Sequence, residues 1–241
     1  PPCTDLILKT GISRVVIGLR DPDKRVSGKG ISLLRKAGLE IIESILSDEV
    51  ALQNRSFIHR VKTGLPWGVL KCAMSLDGRI ALPNGQSKWI TSEESRARVH
   101  KIRSKCDAVI IGGGTLRKDD PLLTSRGFSK NEPLRVVLSS TGNLPEKARL
   151  WDTSNARTLV ALGPKADRSF LKNLNQDVLR YGLIENNPKE LLKELAVLGC
   201  NKVLWECGPL LATVALTENF IQELVLFVSP KIIGGLPAMT P

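Results

Sequence analysis

Short apolar runs rich in β-branched residues alternate along this chain with segments that carry helix start and stop signals, the pattern of an α/β fold. Near the amino end, Thr4-Asp5 precede an apolar-periodic run that reaches Lys9 and is stopped by Gly11. Residues 14–19 then predict a strand, residues 30–36 a short helix closed by Gly38, and residues 39–42 a second strand. That succession implies parallel pairing. Residues 48–60 predict a helix and Thr63-Gly64-Leu65-Pro66 a linker, where we place a domain boundary. Beyond it, residues 68–74, 108–111, 134–138, 158–162, 202–205 and 223–228 predict strands. A helix is expected from Thr91, with Ser92, Glu93 and Glu94 at its start and Lys101, Arg103 and Lys105 toward its end, the order that the helix dipole favours. Residues 188–198 and 210–218 predict two more helices.

Composition narrows the class. The 241 residues are 42% hydrophobic, which suits a soluble globular chain rather than a disordered one. No apolar run reaches the roughly 18–20 residues that a membrane span needs. The cysteines (Cys3, Cys72, Cys106, Cys200 and Cys207) are odd in number, widely spaced and without C-x-x-C, so reduced thiols are expected. His59 and His100 have no His or Cys at ligand spacing, so no metal site is expected from spacing alone. The net charge of +11 is uneven: residues 1–130 carry 23 basic and 13 acidic side chains, residues 131–241 only 12 and 11. An anionic partner is therefore expected on the first half. Nucleic acid fits less well, because one Tyr and five Phe offer little for base stacking. Both ends, Pro1-Pro2-Cys3 without a targeting signal and the stretch from Gly234 to Pro241, read as cut from a longer chain.

Two places repeat one device, a buried strand running into a Gly-rich turn: Gly112-Gly113-Gly114-Thr115 and Glu206-Cys207-Gly208-Pro209. Each reads either as a tight turn or as backbone N–H groups presented to a phosphate. Neither is a dinucleotide fingerprint, since Arg117 stands where the last glycine would be. Lys71 and Glu206 interrupt apolar strands, where charges seldom sit unless paired. With Asp77-Gly78-Arg79, residues 87–91, and Lys118-Asp119-Asp120-Pro121 leading to Thr124 and Arg126, they supply candidate acid–base groups at strand ends. His100 reads as a surface residue of the basic helix. Arg96 with Arg103, and Arg98 with Lys101 and Lys105, share helix faces that either meet solvent or an anion.

Leu70-Lys-Cys-Ala-Met-Ser-Leu-Asp-Gly-Arg79, Ser87-Lys-Trp-Ile-Thr-Ser92, Gly114-Thr115 with Asp119-Asp-Pro121, Leu123-Thr-x-Arg126 and Pro230-Lys-Ile-Ile-Gly-Gly235 resemble the bifunctional riboflavin-biosynthesis deaminase/reductase family. Pro2-Cys3-Thr4-Asp5, the strand from Arg14 with Asp21-Pro22, and Gly28-x-Gly30 extend the resemblance over nearly the whole chain. Glu206-Cys207-Gly208-Pro209 resembles its plant or cyanobacterial branch, the plant pyrimidine reductase type. The resemblance implies a dihydrofolate-reductase-like α/β domain over residues 67–241, cut short at its carboxyl end. Residues 1–62 would be the C-terminal remnant of a cytidine-deaminase-like domain. The reductase would use NADPH to convert the ribosylamino group of 5-amino-6-(5-phosphoribosylamino)uracil to the ribitylamino product. Implied cofactor contacts are Ala73, Trp89, Gly114, Thr115, Asp119, Ser140, Gly208, Pro209, Leu210, Leu211, Ala212, Thr213 and Val214. Implied substrate contacts are Ser87, Arg103, Leu123, Arg126 and Glu206, and Asp119, Lys71 and Glu206, in that order, are candidates for the acid. Cys3 matches one zinc ligand of the deaminase, but its partners are absent from this sequence, so zinc and deamination are not expected here. A homodimer through the reductase domain is also implied, in the plastid stroma for a plant member and otherwise in the cytoplasm. The alternatives are a catalytically silent fragment and a basic nucleotide- or RNA-binding protein.

Overall fold

The computed structural model describes residues 3–82 and 92–234, and they divide into two compact units, Pro1–Gly64 and Leu65–Pro241. In the first unit, α1 (Cys3–Lys9), α2 (Lys29–Lys36), α3 (Ser47–Gln53) and α4 (Arg55–Thr63) accompany the strands β1 (Arg14–Ile17) and β2 (Glu40–Glu43). The two strands pair in parallel, as their strand–helix–strand order requires. The helix expected over 48–60 is broken at Asn54, whose side-chain amide donates back to the Val50 carbonyl at 2.9 Å. That bond satisfies one end of α3 while α4 starts anew. Leu34 is the one hydrophobic side chain of this unit that is buried, among the described residues.

The second unit is built on seven described strands: β3 (Trp67–Ser75), β4 (Ala108–Gly112), β5 (Leu134–Ser139), β6 (Thr158–Leu162), β7 (Leu179–Gly182), β8 (Lys202–Trp205) and β9 (Glu223–Ser229). They lie in the order β7-β6-β5-β4-β8-β3-β9, every neighbouring pair parallel. Parallel strands covered on both faces read as continuous apolar runs, which is why β4 and β6 were plain in the sequence. Side-chain alternation divides the core into two layers. Ala108, Ile110, Val203 and Trp205 face one way, against Leu191, Leu192 and Leu195 of α7 (Pro188–Val197) and Ala212 and Ala215 of α8 (Pro209–Thr217). Val69, Val109, Ile111 and Leu204 face the other way, toward Leu116 of α6 (Gly113–Asp119) and Ile102 of α5 (Glu93–Arg103).

From β4 the chain turns outward to β5, β6 and β7; from β8 it turns to β9 on the opposite side. Neighbouring strands β4 and β8 thus mark the topological switch point, where the connections leave in opposite directions, the place at which open α/β sheets bind ligands beyond the carboxyl ends of their strands. No helix of the described residues is long and apolar enough to cross a membrane.

Candidate active site

The sheet brings the unusual charges together at the carboxyl ends of these strands. Lys71 continues β3 and Glu206 continues β8 by one residue beyond the paired Leu70 and Trp205. Alternation turns both toward the α5 layer. There Arg103, in the last turn of α5, donates from Nε to Glu206 Oε1 at 2.5 Å and from Nη2 to Oε2 at 2.9 Å. The fork is well sheltered, with side chains 12% and 10% exposed. Arg103 Nη1 donates to the Thr124 carbonyl at 3.1 Å and lies 3.2 Å from His100 Nδ1. Four of the five guanidinium N–H groups are therefore committed to protein partners.

Burial by itself would push the Glu206 carboxyl up. The hydrogen bonds and charge of Arg103, helped by Lys71 and His100, outweigh it and hold the group below the usual carboxylate range. Glu206 is thus an ionised acceptor. His100, expected on the surface, is half-buried one turn from Arg103. Desolvation, then the charges of Arg103 and Arg126, keep the imidazole neutral at pH 7. Its i, i+3 spacing from Arg103 was the signal in the sequence that went unused.

The loop after α6 supplies the rest. Leu123 and Arg126 both have positive φ, 54° and 50°. Leu123 is buried in the core, whereas Arg126 is exposed. Ser125 pins the loop by donating to Glu132 Oε1 at 2.9 Å. The neighbouring acids separate: Asp120 accepts from the Arg149 backbone at 2.8 Å, while Asp119 is exposed at the end of α6.

Around this cluster stand two helix starts without side-chain caps, at Gly112 for α6 and Gly208 for α8. Open space surrounds the position a Gly208 Cβ would take, and Gly114 meets nothing closer than Arg117 Nη2 at 3.8 Å. Thr115 is half-buried on α6, Ser140 is exposed just past β5, and Ala73 is half-buried on β3. Of the α8 segment, Leu210, Thr213 and Val214 are exposed, Gly208 and Pro209 half-buried, and Leu211 and Ala212 turn into the core. Ser87 and Trp89 lie outside the described residues.

Asp77, a candidate acid–base group, is instead an anchor. It accepts from Ser75 Oγ at 2.6 Å, from Ile233 N–H at 3.0 Å and from Gly234 N–H at 2.8 Å, fastening the segment after β9 to the β3 turn. Burial pushes the Cys106 and Cys207 thiols up to about 12, so neither is a thiolate nucleophile at neutral pH. Two open recesses lie away from the fork. One of about 480 Å³ is at the amino ends of the strands, near Asp107 and Leu134, and one of about 640 Å³ lies between Ser92–Arg96 of the α5 start and residues 226–231. Neither includes Lys71, Arg103 or Glu206, so chemistry rather than recess size marks the strand ends.

The family described as RibD C-terminal domain matches residues 66–241. The riboflavin biosynthesis protein RibD of Synechocystis is 45% identical over the whole chain and 66% of its own length. The chloroplastic riboflavin biosynthesis protein PYRR of Arabidopsis thaliana is 41% identical over 98% of the chain and 41% of its own. A Thermotoga maritima structure, described as a diaminohydroxyphosphoribosylaminopyrimidine deaminase/5-amino-6-(5-phosphoribosylamino)uracil reductase, superposes with a TM-score of 0.83 at 36% identity, covering 98% of this chain and 64% of that one. The chain therefore spans just under two thirds of the bacterial relatives and about two fifths of the plant one. This solved relative carries the dihydrofolate-reductase-like α/β fold expected of the second unit. The chain belongs to the RibD family of riboflavin-biosynthesis proteins, with residues 66–241 forming its C-terminal domain.

Proposed function

We propose that residues 65–241 form an NADPH-dependent reductase that converts the ribosylamino group of 5-amino-6-(5-phosphoribosylamino)uracil to the ribitylamino product. The observation that carries this reading is the sheltered Arg103–Glu206 fork beside Lys71, set between two uncapped helix starts at the switch point. NADPH fits those starts: free N–H groups and the helix dipole favour a pyrophosphate, and the open backbone at Gly208 admits one. Ala73, Thr115, Asp119, Ser140 and residues 208–214 would hold it, with Trp89 from outside the described residues. When bound it supplies a hydride.

This chain's own groups divide the remaining work. Glu206, ionised and fixed by Arg103, accepts hydrogen bonds from the substrate. With most of Arg103 committed, Arg126 is the cation that receives the substrate phosphate, its forked donors matching the anion. Lys71 donates the proton that the sugar ring oxygen takes as its bond to C1′ opens, which leaves C1′ to receive the hydride. Asp119 is placed with the cofactor, because it stands exposed beyond the glycine-rich start of α6. For the first unit we propose a deaminase-like fold, in which Cys3, at the exposed start of α1, is the residue that matches a zinc ligand of that family. The exposed Leu224, Leu226 and Val228 of β9 support a homodimer through the second unit, which sedimentation would read directly.

NADPH absorbance with enzymatically prepared deaminated substrate tests the activity. Substrate-dependent loss is expected; none from folded protein would overturn the reading. Tight RNA binding with a steep salt slope and no NADPH affinity would favour the basic RNA-binding alternative.

A further inference from the structure

We propose that His100 is a positioning residue for this reductase site: its imidazole holds Arg103 in the orientation that engages Glu206, and protonating it releases that hold. The inference rests on the reductase reading above for its kinetic consequence, though not for the contact itself.

A guanidinium only donates, so at 3.2 Å the Nδ1 of His100 must accept from Arg103 Nη1, and the ring proton must sit on Nε2. The Thr124 carbonyl takes the other proton of the same nitrogen. Together they fix the end of the guanidinium turned away from Glu206, which sets the plane of the fork. An arginine held only by its carboxylate would rock about that axis, and Glu206 with it. The groups facing the imidazole are Arg103 on its own helix, Arg126 and the Thr124 carbonyl from the loop, and Glu206 from the end of β8. Burial and the two arginines outweigh the carbonyl and the carboxylate, so the ring is neutral at pH 7. A proton on Nδ1 removes the acceptor and places a third cation beside Arg103 and Arg126. Substrate engagement must therefore fall on the acid side, through a His100 pKa below the usual 6.5.

Two measurements on the 241-residue chain test this. With only two histidines, NMR titration of the imidazole signals reads His100 directly, His59→Gln assigning the pair. His100 should titrate below its ordinary value and move upward in Arg103→Met; an ordinary or raised value overturns the proposal. Kinetically, His100→Ala should lower kcat/KM roughly 10- to 100-fold at neutral pH, the size of a small misplacement at a reacting centre. His100→Gln, whose carbonyl can accept from Arg103, should recover most of that and lose the acid limb of the wild-type profile. The proposal fails if His100→Gln behaves as His100→Ala does, if it keeps the wild-type acid limb, or if His100→Ala changes nothing. An inactive wild type would instead bring down the reductase reading, with the His100–Arg103 linkage still decided by NMR.

Discussion

Glu206 is a carboxylate taken out of water and given a guanidinium fork instead. Removing one side of such a pair leaves the other buried without compensation, which costs about 3–5 kcal/mol. Arg103→Met is expected to lower folding stability by about that amount and to abolish turnover, read by urea denaturation and NADPH oxidation. Arg103→Lys keeps the charge but not the bidentate geometry, so it should retain more stability than activity. The carboxyl lies below its ordinary 4.5 in the folded chain, so its contribution is full above that pH and is lost as pH falls through the folded value. Asp77 obeys the same sign for a different reason. The Ser75 hydroxyl and the Ile233 and Gly234 N–H groups hold it well below 3.8. Asp77→Asn should lower Tm at neutral pH and flatten the acid side of the Tm–pH curve; an unchanged curve would mean that the anchor does not hold the segment after β9. The sequence marked Lys71 and Glu206 as charges out of place in apolar strands. It could not show that Glu206 meets a helix residue 103 positions earlier, nor that Asp77 is spent on backbone amides, because both partnerships are tertiary.

Strands β3 and β8 position the site, and β3 has little room to adjust. A Cβ on Gly68 would stand 1.9 Å from the Phe220 carbonyl oxygen and 3.3 Å from Trp205 Nε1. The Gly68 N–H and carbonyl are also bonded to Gln222, at 2.8 and 2.9 Å. Gly68→Ala must move backbone rather than a flexible side chain, so a loss of about 1–3 kcal/mol is expected. A lowered urea midpoint at constant m-value would confirm it. At this scale the sequence was most legible where runs are apolar and short: β6 and β8 fall on the residues expected. It failed where the signal is weak or local. β7, Leu-Arg-Tyr-Gly, has too few β-formers to stand out, and it gains its place by pairing with β6. The break at Asn54 went unseen because periodicity continues through it.

Both core layers are made wholly from residues of the second unit, as are Lys71, His100, Arg103, Thr124, Arg126 and Glu206. The first unit buries Leu34 alone, among its described hydrophobic side chains. It leaves Leu6, Leu8, Ile12, Val16, Val26, Leu33, Ile45, Leu46 and Leu52 exposed. A unit of this size with so little buried surface supplies little cooperative stability of its own. The sheet of the second unit is continuous across the switch point without it, since among the described residues β1 and β2 pair only with each other. Residues 65–241 expressed alone are therefore expected to keep the kcat/KM of the 241-residue chain and the midpoint of its main urea transition. Amides of the first unit in the longer chain should exchange with solvent well before those of β4, β5 and β8. If the shorter chain folds yet loses turnover, the first unit contributes to catalysis. If it fails to fold, the two core layers depend on the first unit for stability.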